Sequence, residues 1–286
     1  MKPPPFAYVA PRTLAETLEH LAAAGDDAKV LAGGQSLVPM LNLRLARPAL
    51  IVDINRVAGL DRLVTENGRL RVGALVRQRG LERWAAREVP LLAAGLRLVG
   101  HVAIRNRGTV AGSIAHADPA SELPALLLCL DGTVVAESRR GRREIAAAAL
   151  FQGPLVTALA ADELITETRF ELPGAGAGWG FHEVARRHGD FALVGVAAVI
   201  AREGGRVARA RVAVFGAAPT TVRAEAAEHA LVGHEPTPKQ IAEAAEAGAA
   251  ALAPVDDLHA SAGYRRRVAR TLLERALTDA GGRGAA

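Results

Sequence analysis

The chain has 286 residues, half of them hydrophobic, and a formal net charge of +5 at pH 7 from 35 basic and 30 acidic side chains. A chain of this length buries about three quarters of the surface that its unfolded form exposes, so a core of two or three subdomains needs no crosslink. The single cysteine, Cys129, excludes an internal disulfide, an iron–sulfur cluster or a cysteine zinc site within this chain, and indicates a reducing compartment.

The positive charge does not predict a nucleic-acid partner. All but three of the basic side chains are arginines, and the arginine clusters at 139–143 and 265–267 have no interleaved aromatic residues that could stack on bases. The N-terminal MKPPPFAYVAP lacks the apolar core of a signal peptide, and no segment approaches the roughly 20 apolar residues of a membrane span. We therefore expect a cytoplasmic protein without a transmembrane segment.

Residues 1–55 predict a small α+β unit. A capping box of Thr13 and Glu16 begins a helix that runs to Ala24 and ends at Gly25. A strand at 28–31, a short helix at 37–45 and a strand at 49–54 follow.

The stretch KVLAGGQSLVP, residues 29–39, breaks an apolar run with two glycines. Gly33 and Gly34 can turn the backbone so that successive N–H groups point into one concavity, and Ser36 is expected to be the N-cap of the following helix. A strand end, a glycine turn and a helix start together favour an anion such as phosphate. An ordinary tight strand-to-helix turn has the same pattern, and this loop alone leaves both readings open.

A second subdomain is expected at 56–176. Asn67 and Gly68 predict a hairpin between strands at 60–65 and 69–75, and helices are expected at 89–99 and 122–130. Between these helices, residues 101–124 have no clean period and are interpreted as a loop rich in small residues. A hairpin at 132–146 and a strand at 162–172 complete this part.

The segment PGAGAG, residues 173–178, is the best linker candidate, and we expect a domain boundary near residue 176 and a C-terminal domain at 177–286. Strands are expected at 181–186, 193–202 and 207–216, and helices at 221–231, 238–252 and 263–279. The tail GGRGAA is expected to be disordered.

Two segments together resemble a known family. AGGQSLVPMLNLRLARP (residues 32–48) and IRNRGTVAGSIAHADPASELPAL (residues 104–126) are similar to the FAD-binding medium subunit of the molybdenum hydroxylases, which include xanthine dehydrogenase and bacterial carbon monoxide dehydrogenase. The resemblance covers nearly the full chain. It implies an α+β fold: a two-subdomain FAD-binding domain of the PCMH (vanillyl-alcohol oxidase-like) type, then a smaller α+β domain with an antiparallel sheet and helices.

The resemblance also implies a set of FAD-binding residues. Backbone N–H groups would hold the diphosphate from two sides, at Ala32, Gly33, Gly34, Gln35 and Ser36 and at Thr109, Gly112 and Ser113. The neighbouring residues expected in the site are Lys29, Val30, Leu31, Leu37, Val110, Ala111 and Ala115.

Other expected contacts lie further along the chain. Glu122, preceded by Ser121, would hydrogen-bond FAD, although an acid in a first helical turn also acts as a cap. Leu164 or Ile165 would pack on the flavin ring, and Phe191 would cover it. For Ile165 and Phe191 a place in the core is the alternative.

The chain departs from the family pattern at two places. Ala111, Gly112 and Ser113 replace the Gly-Gly-Asn of many relatives, and we expect altered contacts with FAD binding retained. Gln35 stands where some flavoproteins with this domain have a histidine that bonds the cofactor covalently, so we expect noncovalent FAD. His116 has no partners at metal-ligand spacing, and no metal site or catalytic acid or base is expected in this chain.

The family further implies partners. The chain would receive electrons one at a time from a small [2Fe–2S] subunit and pass them to an acceptor such as NAD, a quinone or oxygen, while substrate is oxidised at a molybdenum cofactor in a large subunit. A heterotrimer, or a dimer of heterotrimers, would result. A standalone FAD-dependent oxidoreductase and a non-catalytic assembly subunit are the alternatives.

Overall fold

A computed structural model describes residues 2–283. The N-terminal unit is a three-stranded parallel sheet with two helices. Strand order is β1-β3-β2, and β3 is the parallel neighbour of both other strands. Its elements are β1 (Ala7–Val9), α1 (Leu14–Ala24), β2 (Ala28–Leu31), α2 (Leu37–Asn42) and β3 (Leu50–Asp53).

The capping box that begins α1 is confirmed. The Glu16 backbone N–H donates to Thr13 Oγ1 at 3.2 Å, and the Thr13 N–H donates to Glu16 Oε2 at 3.2 Å. Leu18 and Leu21 are buried on the face that packs on the sheet. Strand β1 was not predicted, because it is three residues long and mostly exposed.

The second unit is a five-stranded antiparallel sheet of order β4-β5-β10-β6-β7, with helices packed on it. Both residues of the predicted turn between β4 and β5 have positive φ, 51° at Asn67 and 75° at Gly68. The elements are β4 (Leu63–Glu66), β5 (Arg69–Gly73), α3 (Gln78–Glu88), α4 (Pro90–Leu96), α5 (Val102–Arg107), α6 (Val110–His116), α7 (Glu122–Cys129), β6 (Thr133–Ser138), β7 (Gly141–Ala146), α8 (Ala147–Leu150), β8 (Phe151–Gly153), β9 (Val156–Thr157) and β10 (Leu164–Glu171).

The interpretation of residues 101–124 as a loop is wrong, since α5 and α6 occupy much of it. Both helices are short and together show too few turns for an apolar period to stand out. Helix α3 was also missed. It buries only one face, including Leu81 and Ala85. The many arginines of its exposed face make the apolar pattern of the buried face hard to detect in the sequence.

The C-terminal unit is a four-stranded antiparallel sheet of order β11-β12-β13-β14 with three helices on one face. Its elements are β11 (Gly178–Ala185), β12 (Ala192–Glu203), β13 (Arg206–Phe215), β14 (Val222–Arg223), α9 (Glu225–Leu231), α10 (Pro238–Ala250) and α11 (Ala262–Arg283). Residues 222–223, expected in a helix, form a strand. Residues 281–283 of the tail expected to be disordered continue α11, and residues 284–286 lie outside the described residues.

Helix α7 joins this sheet to the second unit. Every residue of α7 is buried, and the helix packs against β12 and β13 on the face of the sheet opposite the three C-terminal helices. Alternate residues of β12 accordingly serve different cores, with Val194 and Val196 facing the helices and Ala197 facing α7. This double burial explains why LPALLLC is apolar around its whole circumference. The α+β fold class expected from the sequence is confirmed.

Candidate functional site

A cleft of about 360 Å³ opens where the parallel strands β2 and β3 end. Because parallel neighbours end at the same edge of a sheet, the glycine loop after β2 and the residues after β3 meet there. The lining residues are Leu31, Ala32, Gly33, Gly34, Gln35, Val38, Pro39, Asp53, Asn55 and Arg107. Five of them, 31–35, belong to the site predicted from the sequence.

Gly33 brings the two predicted segments into direct contact. A Cβ placed on Gly33 would lie 2.6 Å from the carbonyl oxygen of Arg107, 2.7 Å from Gly108 Cα and 3.0 Å from the Thr109 nitrogen. These are backbone atoms that cannot move aside like a side chain, so only glycine allows this approach. The first loop and the start of the second segment therefore pack directly against each other, backbone against backbone.

The first loop presents free hydrogen-bond donors. Gly34 has a φ of 75°, a conformation that favours glycine, and turns the chain toward α2. Within the described residues, the backbone N–H groups of Gly34, Gln35 and Ser36 donate to no protein oxygen. The Gln35 side chain donates to the Gly33 carbonyl oxygen at 3.0 Å, which holds the turn. Such a group of N–H donors suits an anion.

The expected role of Ser36 as an N-cap is wrong. Ser36 has helical dihedral angles, φ −102° and ψ −48°, and its side chain makes no capping hydrogen bond. Helix α2 also ends at Asn42 rather than at residue 45, because residue 44 takes a positive φ of 59°. The loss of the cap leaves the N–H groups at the start of α2 without side-chain acceptors.

A polar frame behind the loop was missed from the sequence. Asn55 Nδ2 donates to the Ala32 carbonyl oxygen at 2.8 Å, and Arg77 donates to Asn55 Oδ1 at 2.7 Å and to the Arg107 carbonyl oxygen at 2.8 Å. Tyr8 donates to Asp53 Oδ2 at 2.6 Å. The signal that could have found Asn55 is its place just after β3, at the edge where β2 also ends.

The frame carries two arginines, Arg77 and Arg107, and one carboxylate, Asp53, whose charge partly offsets theirs. Burial lowers the pKa of Arg77, and the positive charge of Arg107 lowers it further. Partial burial would raise the pKa of Asp53, but hydrogen bonds from Tyr8 and Asn55 outweigh burial and lower it. Arg107 forms no ion pair with any residue of the range 2–283. Two neighbouring guanidinium groups that repel one another would be stabilised by a diphosphate.

The second segment offers another helix start. Thr109 Oγ1 accepts a hydrogen bond from the Gly112 N–H at 3.1 Å and caps α6. Val110 and Ala111 are buried, whereas Gly112 and Ala115 are exposed and Ser113 is half-buried. The exposed face of α6 therefore carries the small residues, and close approach of a ligand is sterically possible there.

The remaining predicted residues fall in three kinds of environment. Lys29 is exposed on β2, while Val30 and Leu37 are half-buried beside the cleft without lining it. Leu164 and Ile165 are buried in the core, 5% and 4% exposed. Phe191 is 61% exposed, so the core alternative does not hold for this residue.

Ser121 and Glu122 are buried at the start of α7, each 5% exposed. Burial raises the pKa of Glu122 to about 7, with a further rise from the charge of Asp118. No basic side chain forms an ion pair with Glu122 within the described part of the chain. Glu122 is therefore a buried carboxyl group without a basic partner among these residues.

Comparison with known proteins identifies the class. The family model described as the FAD binding domain in molybdopterin dehydrogenase matches residues 4–173, and the model described as the CO dehydrogenase flavoprotein C-terminal domain matches residues 179–280. The chain belongs to the FAD-binding medium subunits of the molybdenum hydroxylases, the family of carbon monoxide dehydrogenase.

Individual relatives match over nearly their whole length. The chain is 43% identical over 283 residues to 6-hydroxypseudooxynicotine dehydrogenase complex subunit alpha of Paenarthrobacter nicotinovorans, covering 98% of this chain and 96% of the relative. It is 36% identical over 282 residues to the carbon monoxide dehydrogenase medium chain of Hydrogenophaga pseudoflava, covering 98% of each. A solved carbon monoxide dehydrogenase from that organism, which lacks the Mo-pyranopterin moiety of its molybdenum cofactor, gives a TM-score of 0.96 at 38% identity over 99% of both chains.

The residues present fit FAD. The cleft has a glycine turn, free N–H donors and two neighbouring arginines, as a diphosphate requires. Among residues 2–283, no group of three His, Cys, Asp or Glu side chains is arranged to hold a metal ion. None of the described helices combines the length and the apolar character needed to cross a membrane.

Proposed function

We propose that this subunit relays electrons from a [2Fe–2S] partner through FAD to an external acceptor, which is NAD, a quinone or oxygen. The proposal rests on one combination of observations. The lining residues of the cleft fit a dinucleotide, and the single cysteine of the chain cannot bind an iron–sulfur cluster. Cys129 is 1% exposed in α7, and burial raises the pKa of its thiol to about 12. Iron–sulfur clusters need several thiolates, so the electron donor must be another chain.

The residues of this chain bind and orient the cofactor. The N–H groups of Gly34, Gln35 and Ser36 would hold the diphosphate, and Asn55 and Arg77 keep that loop in place. Bound FAD exchanges one or two electrons, so it can connect a one-electron donor with a two-electron acceptor.

The flavin end of the site is also a proposal. Glu122 would hydrogen-bond FAD, and exposed Phe191 is available to cover the flavin ring. Gln35 lacks the nucleophilic nitrogen that a covalent histidyl link needs, which supports noncovalent binding. The FAD-binding domain would span 1–176, with subdomains at about 1–55 and 56–176, and the C-terminal domain 177–286.

Partner subunits complete the proposal. A large subunit would hold the molybdenum cofactor, and a small subunit the [2Fe–2S] clusters, in a cytoplasmic heterotrimer or dimer of heterotrimers. Support comes from relatives whose names describe them as a medium chain or as a subunit of a dehydrogenase complex. The substrate would bind the large subunit.

Reduction of the bound flavin tests the relay. The complex should be purified by a tag on this chain, and its flavin absorption followed after the oxidisable substrate is added without oxygen. We expect the flavin to be reduced only when the partner subunits are present. Turnover by the isolated chain would instead favour a standalone oxidoreductase, and a chain that binds partners but no FAD would favour an assembly subunit.

A further inference from the structure

A buried ion pair connects α3 to α5 beside the candidate site. Glu82 of α3 and Arg105 of α5 are 6% and 5% exposed, and Arg105 Nε donates to Glu82 Oε2 at 2.9 Å. The other carboxylate oxygen of Glu82 accepts a hydrogen bond from Arg79. Burial would raise the pKa of Glu82, but hydrogen bonds from the two arginines outweigh burial and lower it. Glu82 is therefore ionised near neutral pH, with a donor on each oxygen.

Arg105 also holds the turn that leads into α5. Its Nη1 donates to the carbonyl oxygens of Val99 at 2.9 Å and of Gly100 at 3.0 Å. The donors of a guanidinium group lie in one plane and in fixed directions, so they determine orientation as well as distance. One side chain thus fixes α5 both to α3 and to the preceding turn.

Helix α5 leads directly into the wall of the cleft. It ends at Arg107, two residues after Arg105, and Arg107 lines the cleft. The Arg107 carbonyl oxygen and the Gly108 Cα are the atoms that Gly33 approaches most closely. Because the residues from 105 to 107 are helical, a displacement of Arg105 also moves this backbone.

The N-terminus of α3 holds the same segment at a second place. The Gln78 N–H donates to the Gly108 carbonyl oxygen at 2.9 Å, and the Val110 N–H donates to the Val76 carbonyl oxygen at 3.1 Å. Glu82 lies one helical turn further along α3 than Gln78. The two connections together therefore fix both the position and the tilt of α5 on α3.

The ion pair contributes direction more than stability. Removal of two charges from water offsets most of their attraction, and apolar residues of similar volume often stabilise a fold equally well. Apolar side chains have no donors, however, and could not fix α5 to one carboxylate and two carbonyl oxygens. The geometry of Glu82 and Arg105 is therefore the property that the neighbouring cleft uses.

We propose that Arg105 is a positioning residue for the diphosphate site, held by Glu82 so that the end of α5 stays against the Gly33 loop. This proposal rests on the proposed function, in which that loop holds FAD. When the ion pair is broken, the backbone at residues 107–108 moves away from Gly33, and the two sides of the cleft no longer meet.

The dissociation constant of FAD tests this role in the folded full chain. In Arg105→Lys, a single ammonium group cannot reach the carboxylate and both carbonyl oxygens in their fixed directions. In Glu82→Gln, a neutral amide replaces the carboxylate that holds Arg105. We expect each variant to bind FAD at least tenfold more weakly than wild type, at a temperature at which circular dichroism shows every variant to be folded.

A second buried ion pair supplies the matched control. In the C-terminal unit, Arg223 Nε lies 2.6 Å from Glu228 Oε1, and the two side chains are 16% and 8% exposed. Neither residue lines the cleft. Arg223→Lys should lower the free energy of unfolding but leave the FAD affinity of the folded chain at the wild-type value. If Arg105 had a merely structural role, folded Arg105→Lys would also bind FAD as wild type does, and that result overturns the proposal.

Amide hydrogen exchange of the cofactor-free chain gives a readout that needs no FAD. We expect the amides of Gly108 and Val110 to exchange faster in Arg105→Lys than in wild type, and at the wild-type rate in Arg223→Lys. Unchanged exchange at both amides in Arg105→Lys would also overturn the proposal. Faster exchange there, in a protein whose wild type takes up no FAD, would refute the proposed function and leave the placement of this backbone by Arg105 standing.

Discussion

Gly33 is the residue at which the two binding segments touch, backbone against backbone. We expect Gly33→Ala to weaken FAD binding at least tenfold, because its Cβ would force the Arg107 carbonyl and Gly108 away from the loop. Titration of the cofactor-free chain with FAD, followed by flavin fluorescence, measures the effect. Gly80→Ala is the matched control, since a Cβ there meets nothing within 4 Å. Equal affinity of the two variants would show that the contact is not needed.

Asn55 holds the first loop from behind. Replacement by alanine removes the donor to the Ala32 carbonyl oxygen and the acceptor for Arg77, each of which is then left partly unpaired. The expected cost in FAD binding is about 1–3 kcal/mol. Calorimetric titration should detect this loss, and Asn106→Ala, an exposed change on α5, should have no effect. Wild-type affinity in Asn55→Ala would place the cofactor elsewhere.

For single residues, the sequence predicted the glycines of the binding loop but not the side chains that hold this loop in place. The double glycine in KVLAGGQSLVP signals a turn through local chemistry alone. The roles of Asn55 and Arg77 depend on which strands are parallel neighbours and on where α3 begins, and neither is encoded within a few residues. Ser36 shows the opposite failure, because a favourable N-cap residue type does not determine the backbone angles of the loop.

Among the elements, α7 is fixed at its C-terminal end by charges from the C-terminal sheet. Asp131 follows α7 and accepts hydrogen bonds from Arg209, Arg211 and Arg223. We expect Asp131→Asn to lower the free energy of unfolding by roughly 1–3 kcal/mol, because three guanidinium groups lose a shared anion. Urea unfolding at pH 7 measures this. Asp61→Asn, exposed and without an ion pair in the described range, should be neutral.

The pH dependence of this contribution has a definite sign. Burial of Asp131 would raise its pKa, but hydrogen bonds and charge from Arg211 and the other arginines lower it below its ordinary 3.8. The stabilisation is therefore present above pH 3.8 and is lost as the pH falls through the lowered value. The two unfolding curves, wild type and Asp131→Asn, should converge in acid. A constant difference down to the acid transition would contradict the assignment to Asp131.

Elements with strong local signals were predicted well. The capping box of α1, the Asn-Gly hairpin and the β-branched runs of β12 and β13 each follow from local propensity. The short helices α5 and α6 and the strand β1 could not be found in this way. They are stabilised by tertiary contacts, such as the hydrogen bonds that Arg105 donates to the carbonyl oxygens of residues 99 and 100. A regular apolar pattern within their own sequences contributes less.

For the whole molecule, two glutamates should make the free energy of unfolding fall with rising pH, Glu122 at the start of α7 and Glu183 in β11. Both Glu122 and Glu183 have pKa values raised above the ordinary 4.5, to about 7 and about 8, so the folded state binds protons more tightly than the unfolded chain. Stability is then highest in mild acid and declines as the pH rises from 4.5 to about 8. We expect Glu183→Gln to be more stable than wild type at pH 9 by about 1 kcal/mol or more, since one pKa unit corresponds to about 1.4 kcal/mol.

Urea unfolding at pH 5, 7 and 9 checks this prediction, with Glu203→Gln as the control on an exposed acid. A wild-type protein whose stability is flat over this range, or a Glu183→Gln variant with the same slope as wild type, would contradict it. The packing of α7 between the two halves could not be predicted from the sequence. The apolar run of α7 predicts a buried helix, but not that its neighbours come from both halves of the chain.

The central claim is that the whole chain is built around a noncovalent FAD site. The most direct measurement is the flavin content of the purified full chain before and after incubation with FAD. The account predicts a yellow protein with close to one FAD per chain, released as free FAD by acid. A colourless chain that takes up no FAD, or a flavin that stays attached to the denatured polypeptide, would contradict it.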